Sequence, residues 1–262
     1  MLQFGMPTLI ENKSPADCAL LCGQLGLNFI ELNMNLPDYQ LHRMNVEELL
    51  GLGQEYGLYY TIHLDENFNP CDFNPEIAKA YNLTAEGTIA VAARLGVPVI
   101  NMHLSRGVYF TLPAERVYLY DRYREDYLRG MIAFRDICGN LAAEAGVTIC
   151  VENSDGYTDF QREALDLLMG HPSFALTFDV GHDHAIGGID RPVIAGRSDR
   201  LRHMHLHDAA GTKNHLALGT GELDADGCLR LAAEHGCRVV LETKTIDGLR
   251  RSVDWLRERG YL

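Results

Sequence analysis

Acidic and imidazole side chains follow short apolar runs in this sequence, and the segment FDVGHDHAIG (residues 178–187) shows the arrangement most clearly. Asp179, His182 and His184 come directly after apolar residues that have the pattern of a buried strand. A charged group in that position costs free energy unless it is paired with another charge or coordinated to a metal. These three residues are therefore candidates for a binding site.

Similar residues stand at the ends of the other apolar runs. They are Glu31 in FIELNM, His63 in YYTIHL, His103 in INMHLS, Glu152 in CVEN, His205 and His207 in HMHLHD, His215 shortly beyond, and Glu242 in LETK. Alone, His63 or His103 could be a hydrogen-bonded core histidine, and Glu152 with Asn153 could cap a turn. Their shared position at the ends of the runs is the observation that indicates function.

These residue types favour a metal site. Several carboxylates that converge at one edge repel one another, and a divalent cation removes that repulsion. Oxygen and nitrogen donors without thiolates suit zinc, manganese, cobalt or iron(II). The pattern therefore predicts a divalent cation at the place where the runs end.

Eight apolar runs alternate with segments of helical periodicity. The runs are LQFGM, FIELNM, LYYTIHL, VPVINMHL, VTICVEN, FALTFDVG, LRHMHLHD and RVVLETK. Each is nearly continuous and rich in β-branched or aromatic residues, as expected for parallel strands covered on both faces. Eight strand–helix units without a change of composition predict a parallel, eight-stranded (β/α)8 TIM barrel, as a single domain over residues 1–262.

Helix-start and helix-end residues stand at suitable places between the runs. Ser14 with Pro15 opens the first helix and Asn45 opens the second. Glycine ends the helix before five of the runs, in LGLNFIEL, YGLYYTI, LGVPVIN, AGVTICVEN and HGCRVVLE. Further helices are expected around residues 85–95, 127–145, 161–169, 225–234 and 246–259, with a weaker pattern near 190–198.

An open doubly wound sheet is the alternative fold. It normally carries a G-x-G-x-x-G phosphate loop after the first strand, and the turn FGMPTLIEN has none. The barrel is therefore the favoured fold. Because all of its strands end at the same mouth, the candidate residues are expected to meet there.

Composition restricts the partners and the location. The net charge of −13 opposes binding to a phosphate backbone, so nucleic acid is a disfavoured partner. No apolar run of about 18 residues predicts a membrane span, and the start MLQFGMPTLIENK lacks the pattern of a signal peptide. Seven scattered cysteines without a C-x-x-C pair indicate reduced core thiols and a cytoplasmic protein.

The motifs VEN, FDVGH, HMHLHD, LGTGELD and LET occur in this order, and with them the chain resembles the xylose-isomerase-like TIM-barrel superfamily over nearly its full length. That superfamily contains sugar and sugar-phosphate isomerases and epimerases, hydroxypyruvate isomerase, inosose dehydratase and metal-dependent apurinic endonucleases. Together the motifs are specific for the superfamily, but they do not indicate which of its reactions the protein catalyses.

The resemblance implies a ligand set for one divalent metal. Glu152, Asp179, His205 and Glu242 would bind it, with manganese, zinc, cobalt, iron and magnesium as the candidate ions. His182 would hydrogen-bond the substrate in an isomerase, whereas the equivalent residue helps to bind an additional zinc in the endonucleases.

The endonucleases in this superfamily use three metals, and their further ligands match His63, His103 and His215. Lys213 stands where those enzymes carry an aspartate, and a cation at that place disfavours the third metal. The matches at His63 and His103 leave a two-metal site open.

The resemblance implies a metal-dependent isomerase or epimerase of a ketose or a related polyhydroxy ketone. A Lewis-acidic ion would stabilise the enediolate, Glu152 and Glu242 would remove and return the proton, and His182 would hold a substrate oxygen. An inosose-type dehydratase or lyase would use the same residues. A zinc-dependent apurinic endonuclease or phosphodiesterase is the alternative from a different class, and a sugar or metal sensor without catalysis is disfavoured because both glutamates are retained.

Residues around the mouth give weaker indications about the substrate. Lys213 and Lys244 could bind a phosphate or a carboxylate, and we expect a carbohydrate that is either non-phosphorylated or carboxylated. The long loops after the third and fourth runs are expected to fold over the mouth, where Tyr109, Tyr118 and Tyr120 could stack on a sugar or pack within the loop. Barrels of this kind are often dimers, which makes a homodimer the assembly to test.

Overall fold

Eight parallel strands close into a barrel in the computed structural model, which describes residues 2–262. The barrel strands are β1 (Gln3–Pro7), β2 (Phe29–Asn33), β3 (Tyr59–His63), β4 (Val99–His103), β7 (Thr148–Glu152), β8 (Phe174–Asp179), β9 (Leu201–Leu206) and β12 (Arg238–Leu241). Each falls on one of the eight apolar runs. The prediction of a (β/α)8 TIM barrel is confirmed.

Helices connect the strands on the outside of the barrel. They are α1 (Pro15–Leu25), α2 (Val46–Tyr56), α3 (Pro75–Leu95), α4 (Leu119–Arg122), α5 (Arg124–Ala145), α6 (Asp159–Met169), α7 (Val180–Ala185), α8 (Arg191–Ala195), α9 (Ala225–His235) and α10 (Ile246–Glu258), with 3-10 turns at Pro37–Tyr39 and Ser198–Arg200. Two antiparallel hairpins, β5 (Tyr109–Thr111) with β6 (Arg116–Tyr118) and β10 (Asp208–Ala210) with β11 (Lys213–Leu216), lie in the loops after β4 and β9.

The capping residues identified in the sequence begin and end the helices as expected. The Ser14 side chain accepts a hydrogen bond from the Asp17 amide, and Asn45 accepts one from the Glu48 amide. Five helices end on a glycine in the left-handed region, at Gly26, Gly57, Gly96, Gly146 and Gly236. A side chain with a Cβ is disfavoured there, so these glycines turn the chain from helix into the next strand.

The irregular elements depart from the sequence pattern. The strand in FDVGHDHAIG ends at Asp179, and the following residues form helix α7 because the Asp179 carboxylate accepts the His182 amide at its start. Helix α3 begins at Pro75, ten positions before the predicted start, with Asn74 as its cap. The weak pattern near 190–198 corresponds to the short α8 and a 3-10 turn. Neither hairpin was predicted.

Strand register places the candidate residues at one level of the barrel. His103 pairs with Glu152 between β4 and β7, and Asp179 pairs with His205 between β8 and β9. His205 also pairs with Val240 on β12, two residues before Glu242. The strand ends therefore bring these side chains to the same mouth.

Apolar side chains fill the space between the barrel and its helices, while part of the barrel interior is polar. Phe134, Phe160 and Phe174 are among the large side chains buried between strands and helices. Five of the residues inside the barrel, below the mouth, are polar and buried: Glu31, Thr61, Asn101, Thr177 and His203. This second group lies directly beneath the candidate site.

The state of the cysteines and the character of the helices bear on two expectations from the sequence. All seven cysteines are buried and unpaired, as predicted for reduced core thiols. None of the helices in residues 2–262 has the length and apolar character needed to cross a membrane.

Asp208 holds the loop that carries LGTGELD. Its buried carboxylate accepts backbone hydrogen bonds from Ala209 at 2.9 Å, Gly221 at 2.9 Å and Leu223 at 3.1 Å. We predict that Asp208→Ala destabilises the protein by about 3 kcal/mol, because three amides lose their acceptor. Thermal melting should show Tm lower by roughly 6–12 °C. Asp199→Ala, at an exposed aspartate, is the control, and equal melting of the two variants would contradict the assignment.

Candidate active site

Four residues from four adjacent strands meet at the mouth of the barrel. Glu152, Asp179, His205 and Glu242 each offer a donor atom, and these atoms all lie within 4.8 Å of one another. His205 is central: its Nδ1 lies 3.1 Å from Glu152 Oε1, 3.3 Å from Glu242 Oε2 and 3.9 Å from Asp179 Oδ2. The structure thus brings together the four residues that the resemblance implied. They are called the carboxylate–histidine group below.

Backbone structure fixes each member of this group. Glu152 is the last residue of β7 and Asp179 the last of β8, while Glu242 follows β12 directly. Asn153 ties two of these ends together, because its side chain donates to the Asp179 carbonyl and accepts from the Asp179 amide, each at 2.9 Å. The alternative interpretation of Glu152 with Asn153 was a turn cap, and the structure instead shows Asn153 as a bridge between β7 and β8.

The donor set fits a divalent cation. Three carboxylates and one imidazole face one point, and Glu152, Asp179 and His205 are almost completely buried. Glu242 Oε2 is also buried and has no hydrogen-bond partner within residues 2–262. His205 Nδ1 lies 3.3 Å from this oxygen without the alignment of a hydrogen bond, and a cation among these oxygens would satisfy it.

Glu152 is held on its other side by residues of β3 and β4. The Asn101 amide donates to Glu152 Oε2, and Asn101 itself accepts from the Thr177 hydroxyl at 2.5 Å. Nε2 of His63 and of His103 lie 3.2 and 3.0 Å from the same Glu152 oxygen. His63, Glu152 and His205 form a second set of donor atoms within 4.8 Å. The two histidines matched to an additional metal therefore adjoin the first group.

A third set of donor atoms lies beside Glu242. It contains His182, His207, His215 and Glu242. His182 Nε2 lies 3.2 Å from His215 Nε2, and His207 stacks on His215 with ring centroids 4.2 Å apart. Gly181 packs against His207, since an added Cβ would come within 2.1 Å of that ring.

Glu31 lies beneath His205. Its Oε1 is 2.8 Å from His205 Nε2, and its Oε2 is 2.9 Å from His203 Nε2 and 3.1 Å from the Thr61 hydroxyl, which donates to it. All four residues are buried. Since Glu31 is fully enclosed by these partners, its charge is compensated inside the barrel rather than by solvent.

A cavity of about 440 Å³ opens above the carboxylate–histidine group. Its lining is polar apart from Leu104, and comprises Asn33, His63, Glu66, His103, Ser105, Arg106, Glu152, Ser154, Asp155, His182, His215, Glu242 and Lys244. Cavities of roughly 300–1,000 Å³ hold small molecules. A polar wall of this kind suits a ligand rich in hydroxyl groups.

Some sequence candidates lie outside this cavity. Lys213 is exposed on β11 and is absent from the lining, whereas Lys244 reaches the cavity and its Nζ lies 2.9 Å from Glu242 Oε1. His184 lines a separate cavity of about 590 Å³, where its Nε2 lies 3.2 Å from Glu222 Oε2. That larger cavity contains none of the carboxylate–histidine group.

The loop tyrosines also lie outside the cavity lining. Tyr120 is buried, donates to Asn69 and stacks on Tyr127, so it packs within the loop. Tyr109 is exposed on the hairpin, beneath the Arg116 guanidinium. Within residues 2–262 the structure gives none of the three a place on the cavity wall.

Electrostatics keep the acids charged. Burial alone would raise the pKa of Glu152 and of Glu242, but neighbouring charge, chiefly on His205, holds both well below their ordinary range. Burial opposes the charged form of His205, and the carboxylates of Glu152, Glu31 and Glu242 nevertheless raise its pKa well above 6.5. In the same way Glu152 raises the pKa of His63 to about 9 against the effect of burial. The carboxylates are therefore available as bases at neutral pH.

Sequence reasoning overlooked the residues that support the site. Thr61, Asn101 and Thr177 are ordinary strand residues by type, and only their position two residues before His63, His103 and Asp179 places them on the same inward face. The spacing of two residues along a strand was therefore the only feature of the sequence that pointed to Thr61, Asn101 and Thr177. It identifies neighbours on one face but does not identify which side chains contact each other.

A family comparison agrees with this geometry. Residues 20–259 match the model of the xylose isomerase-like TIM barrel family. The chain therefore belongs to this family. A search of curated protein sequences finds no match.

Solved structures share the fold at low sequence identity. A D-tagatose 3-epimerase-like protein superimposes with a TM-score of 0.81 at 20% identity, over 99% of this chain and 97% of that one. The apo form of 3-keto-D-glucoside 4-epimerase from E. coli gives 0.78 at 17% identity, over 98% and 100% of the two chains. D-allulose 3-epimerase from Methylomonas sp., in complex with D-allulose, gives 0.73 at 17% identity, over 98% and 96%.

We predict that His215 makes the protein less stable in mild acid. Burial and the adjacent His207 lower its pKa from 6.5 to about 4, so between these values the unfolded chain binds a proton that the folded chain does not. Above pH 6.5 the neutral His215 has no effect on the free energy of unfolding, and as pH falls below 6.5 it lowers that free energy. From pH 7 to pH 5 the free energy of unfolding should drop by about 1–2 kcal/mol more in the parent than in His215→Gln.

Urea unfolding at both pH values, with a chelator present, measures that difference. The His215 imidazole resonance should also titrate near pH 4 by NMR. A titration midpoint at the ordinary value, or equal acid sensitivity of the two proteins, would show that the surroundings do not affect this residue.

Proposed function

We propose that this protein is a divalent-metal-dependent isomerase or epimerase of a ketose or a related polyhydroxy ketone. The observation that carries the proposal is the convergence of Glu152, Asp179, His205 and Glu242. Two of them, Glu152 and Glu242, also line the polar cavity. The D-tagatose 3-epimerase-like protein and the 3-keto-D-glucoside and D-allulose epimerases named above have this fold. Their names support a sugar as the substrate class.

The four residues would hold one cation. Bound there, it would supply Lewis acidity toward a carbonyl oxygen, which makes the neighbouring C–H bond more acidic. Manganese, zinc, cobalt, iron and magnesium all suit a set of three carboxylates and one imidazole. The set contains no thiolate, so the softest metals are disfavoured.

Glu152 and Glu242 would move the proton. They stand on either side of His205, with donor oxygens 3.1 and 3.3 Å from its Nδ1, and both remain carboxylates at neutral pH. One carboxylate would remove the proton next to the carbonyl and the other would return one. Return to the opposite face of the same carbon gives an epimer. Return to the former carbonyl carbon, with the proton of the neighbouring hydroxyl passing to the former carbonyl oxygen, gives an isomer.

Other cavity residues would position the substrate. His182 Nε2 reaches the cavity beside His215, where it would hold a substrate oxygen. His103 is partly exposed at the cavity wall and would bind a hydroxyl group. Arg106 donates to the carbonyls of Asp155 and Gly156, which joins the loops after β4 and β7 at the cavity edge.

The phosphodiesterase alternative is favoured by one observation. His63 adjoins Glu152, and His182 with His215 adjoins Glu242, so two further sets of donors flank the first. The net charge of −13 and the exposed Lys213 at the position of an expected aspartate oppose it. A dehydratase acting on an inosose-type ring would use the same four residues. After the proton next to the carbonyl is removed, the hydroxyl on the adjacent carbon would take up a proton and leave as water, and no proton would return to carbon. Cytoplasmic location and a homodimer stay predictions of the sequence.

We predict that chelation abolishes turnover. Purified protein should contain about one divalent ion per chain, lose isomerisation of a panel of ketoses and inososes after treatment with EDTA, and recover it on addition of the best of the five metals. The panel should include D-tagatose and D-allulose. Metal content is measured by mass spectrometry and products by chromatography. Binding of two or three zinc ions with nicking of an abasic duplex would instead support the phosphodiesterase.

We further predict that Glu152→Gln and Glu242→Gln each lower kcat by about 10²–10⁴-fold at saturating metal, because each substitution removes a proton-transfer group. With the wild-type protein in D2O, the product should gain solvent deuterium at the carbon that is inverted or isomerised. Glu47→Gln, whose side chain is 79% exposed on α2, is the matched control and should retain activity. Unchanged rates in both site variants would refute the two-carboxylate scheme, and absence of deuterium would indicate hydride transfer.

A further inference from the structure

We infer that Glu31 is a positioning residue that sets the metal affinity of the site through the Nε2 atom of His205. This inference rests on the proposed function, because it takes His205 as a metal ligand. It concerns a residue on β2, away from the four strands that carry the donors.

His205 has two ring nitrogens with different surroundings. Nδ1 faces Glu152, Glu242 and Asp179 at the mouth, at distances of 3.1 to 3.9 Å. Nε2 points into the barrel, where Glu31 Oε1 lies 2.8 Å away. A neutral imidazole carries its proton on one nitrogen and a lone pair on the other.

Coordination at the mouth therefore needs the proton on Nε2. With its Oε1 2.8 Å from Nε2, the Glu31 carboxylate would stabilise that proton by its charge, and this would leave the Nδ1 lone pair facing the donors. In the present ring orientation Nε2 has no aligned hydrogen-bond partner within residues 2–262, so its contact with Glu31 is a close ion pair. A carboxylate in this position orients a ligating imidazole and raises its basicity.

Glu31 is itself fixed, as such a role requires. Its other oxygen, Oε2, is engaged by His203 Nε2 at 2.9 Å and by the Thr61 hydroxyl at 3.1 Å. Oε1 is thereby directed at His205. A buried carboxylate in the interior of a barrel costs free energy, and its placement against a candidate ligand is a reason for the chain to keep it there.

The test compares metal affinity in three variants of the full-length protein. Glu31→Gln keeps the size of the side chain, but its charge is lost and its amide can present an N–H group to Nε2. Glu31→Asp keeps the charge, but its side chain is shorter by one methylene, so the carboxylate lies farther from His205 Nε2. Thr61→Val is the matched control, because it removes a hydrogen bond to Oε2 and leaves Oε1 untouched.

Zinc affinity is measured by competition with a chromophoric chelator, and the visible absorption bands of the cobalt-loaded protein report the ligand geometry. Glu31→Gln should weaken zinc binding by about 10- to 100-fold and shift the cobalt bands. Glu31→Asp should also lose affinity, and Thr61→Val should stay within about 3-fold of the parent. Melting of the chelator-treated proteins shows whether each variant is folded, and Glu31→Asp decides the matter if Glu31→Gln does not fold.

The outcomes separate this inference from the function on which it rests. If the parent protein binds no divalent metal tightly, the proposed function fails. If the parent binds metal and isomerises sugars while Glu31→Gln or Glu31→Asp binds zinc as tightly with unchanged cobalt bands, the inference alone is overturned. An equal loss of affinity in Thr61→Val would assign the effect to general disturbance of the buried polar residues and would also overturn it.

Discussion

Three carboxylates buried around a single imidazole are the constraint on which the rest of the structure depends. Like charges about 4 Å apart repel by about 4 kcal/mol at an effective dielectric constant of 20. Glu152, Asp179 and Glu242 stand this close because His205 lies between them and because Asn153 locks two of the strand ends together. The remaining negative charge, and the Glu242 oxygen that has no hydrogen-bond partner within residues 2–262, would favour a bound cation.

The barrel meets this constraint with rigid elements. The donors stand at the ends of β7, β8, β9 and β12, and a continuous ladder of parallel strands fixes their spacing. Under them the interior carries a second polar level, in which Glu31 faces His205 and Asn101 faces Glu152. Contacts between these two buried polar levels, together with the strands that carry them, hold the geometry more firmly than loops could.

The strand positions were predictable because each barrel strand is a short apolar run between a glycine-ended helix and a polar loop. The candidate residues were predictable for a related reason, since a parallel barrel brings all strand ends to one mouth. FDVGHDHAIG was harder, because its helix depends on one contact between the Asp179 carboxylate and the His182 amide. Lys213 was placed by motif position, and the β10–β11 hairpin carries it away from the cavity.

The contacts beneath the mouth could not be predicted from the sequence, for a physical reason. Glu31 and His205 are separated by most of the chain, and only closure of the barrel brings them to 2.8 Å. Sequence pattern reports which face a side chain occupies, whereas a contact across the barrel depends on the register of every intervening strand. The contact between Glu31 and His205 could therefore be found only from the folded structure.

The four donors belong to strands that are neighbours around the barrel, in the order β7, β8, β9 and β12. A bound cation would therefore join one half of the wall and leave β1, β2, β3 and β4 without a direct tie to it. Opening motions would then be distributed unevenly: the half that carries the donors would exchange its amide hydrogens slowly, and the half that begins the chain would open first.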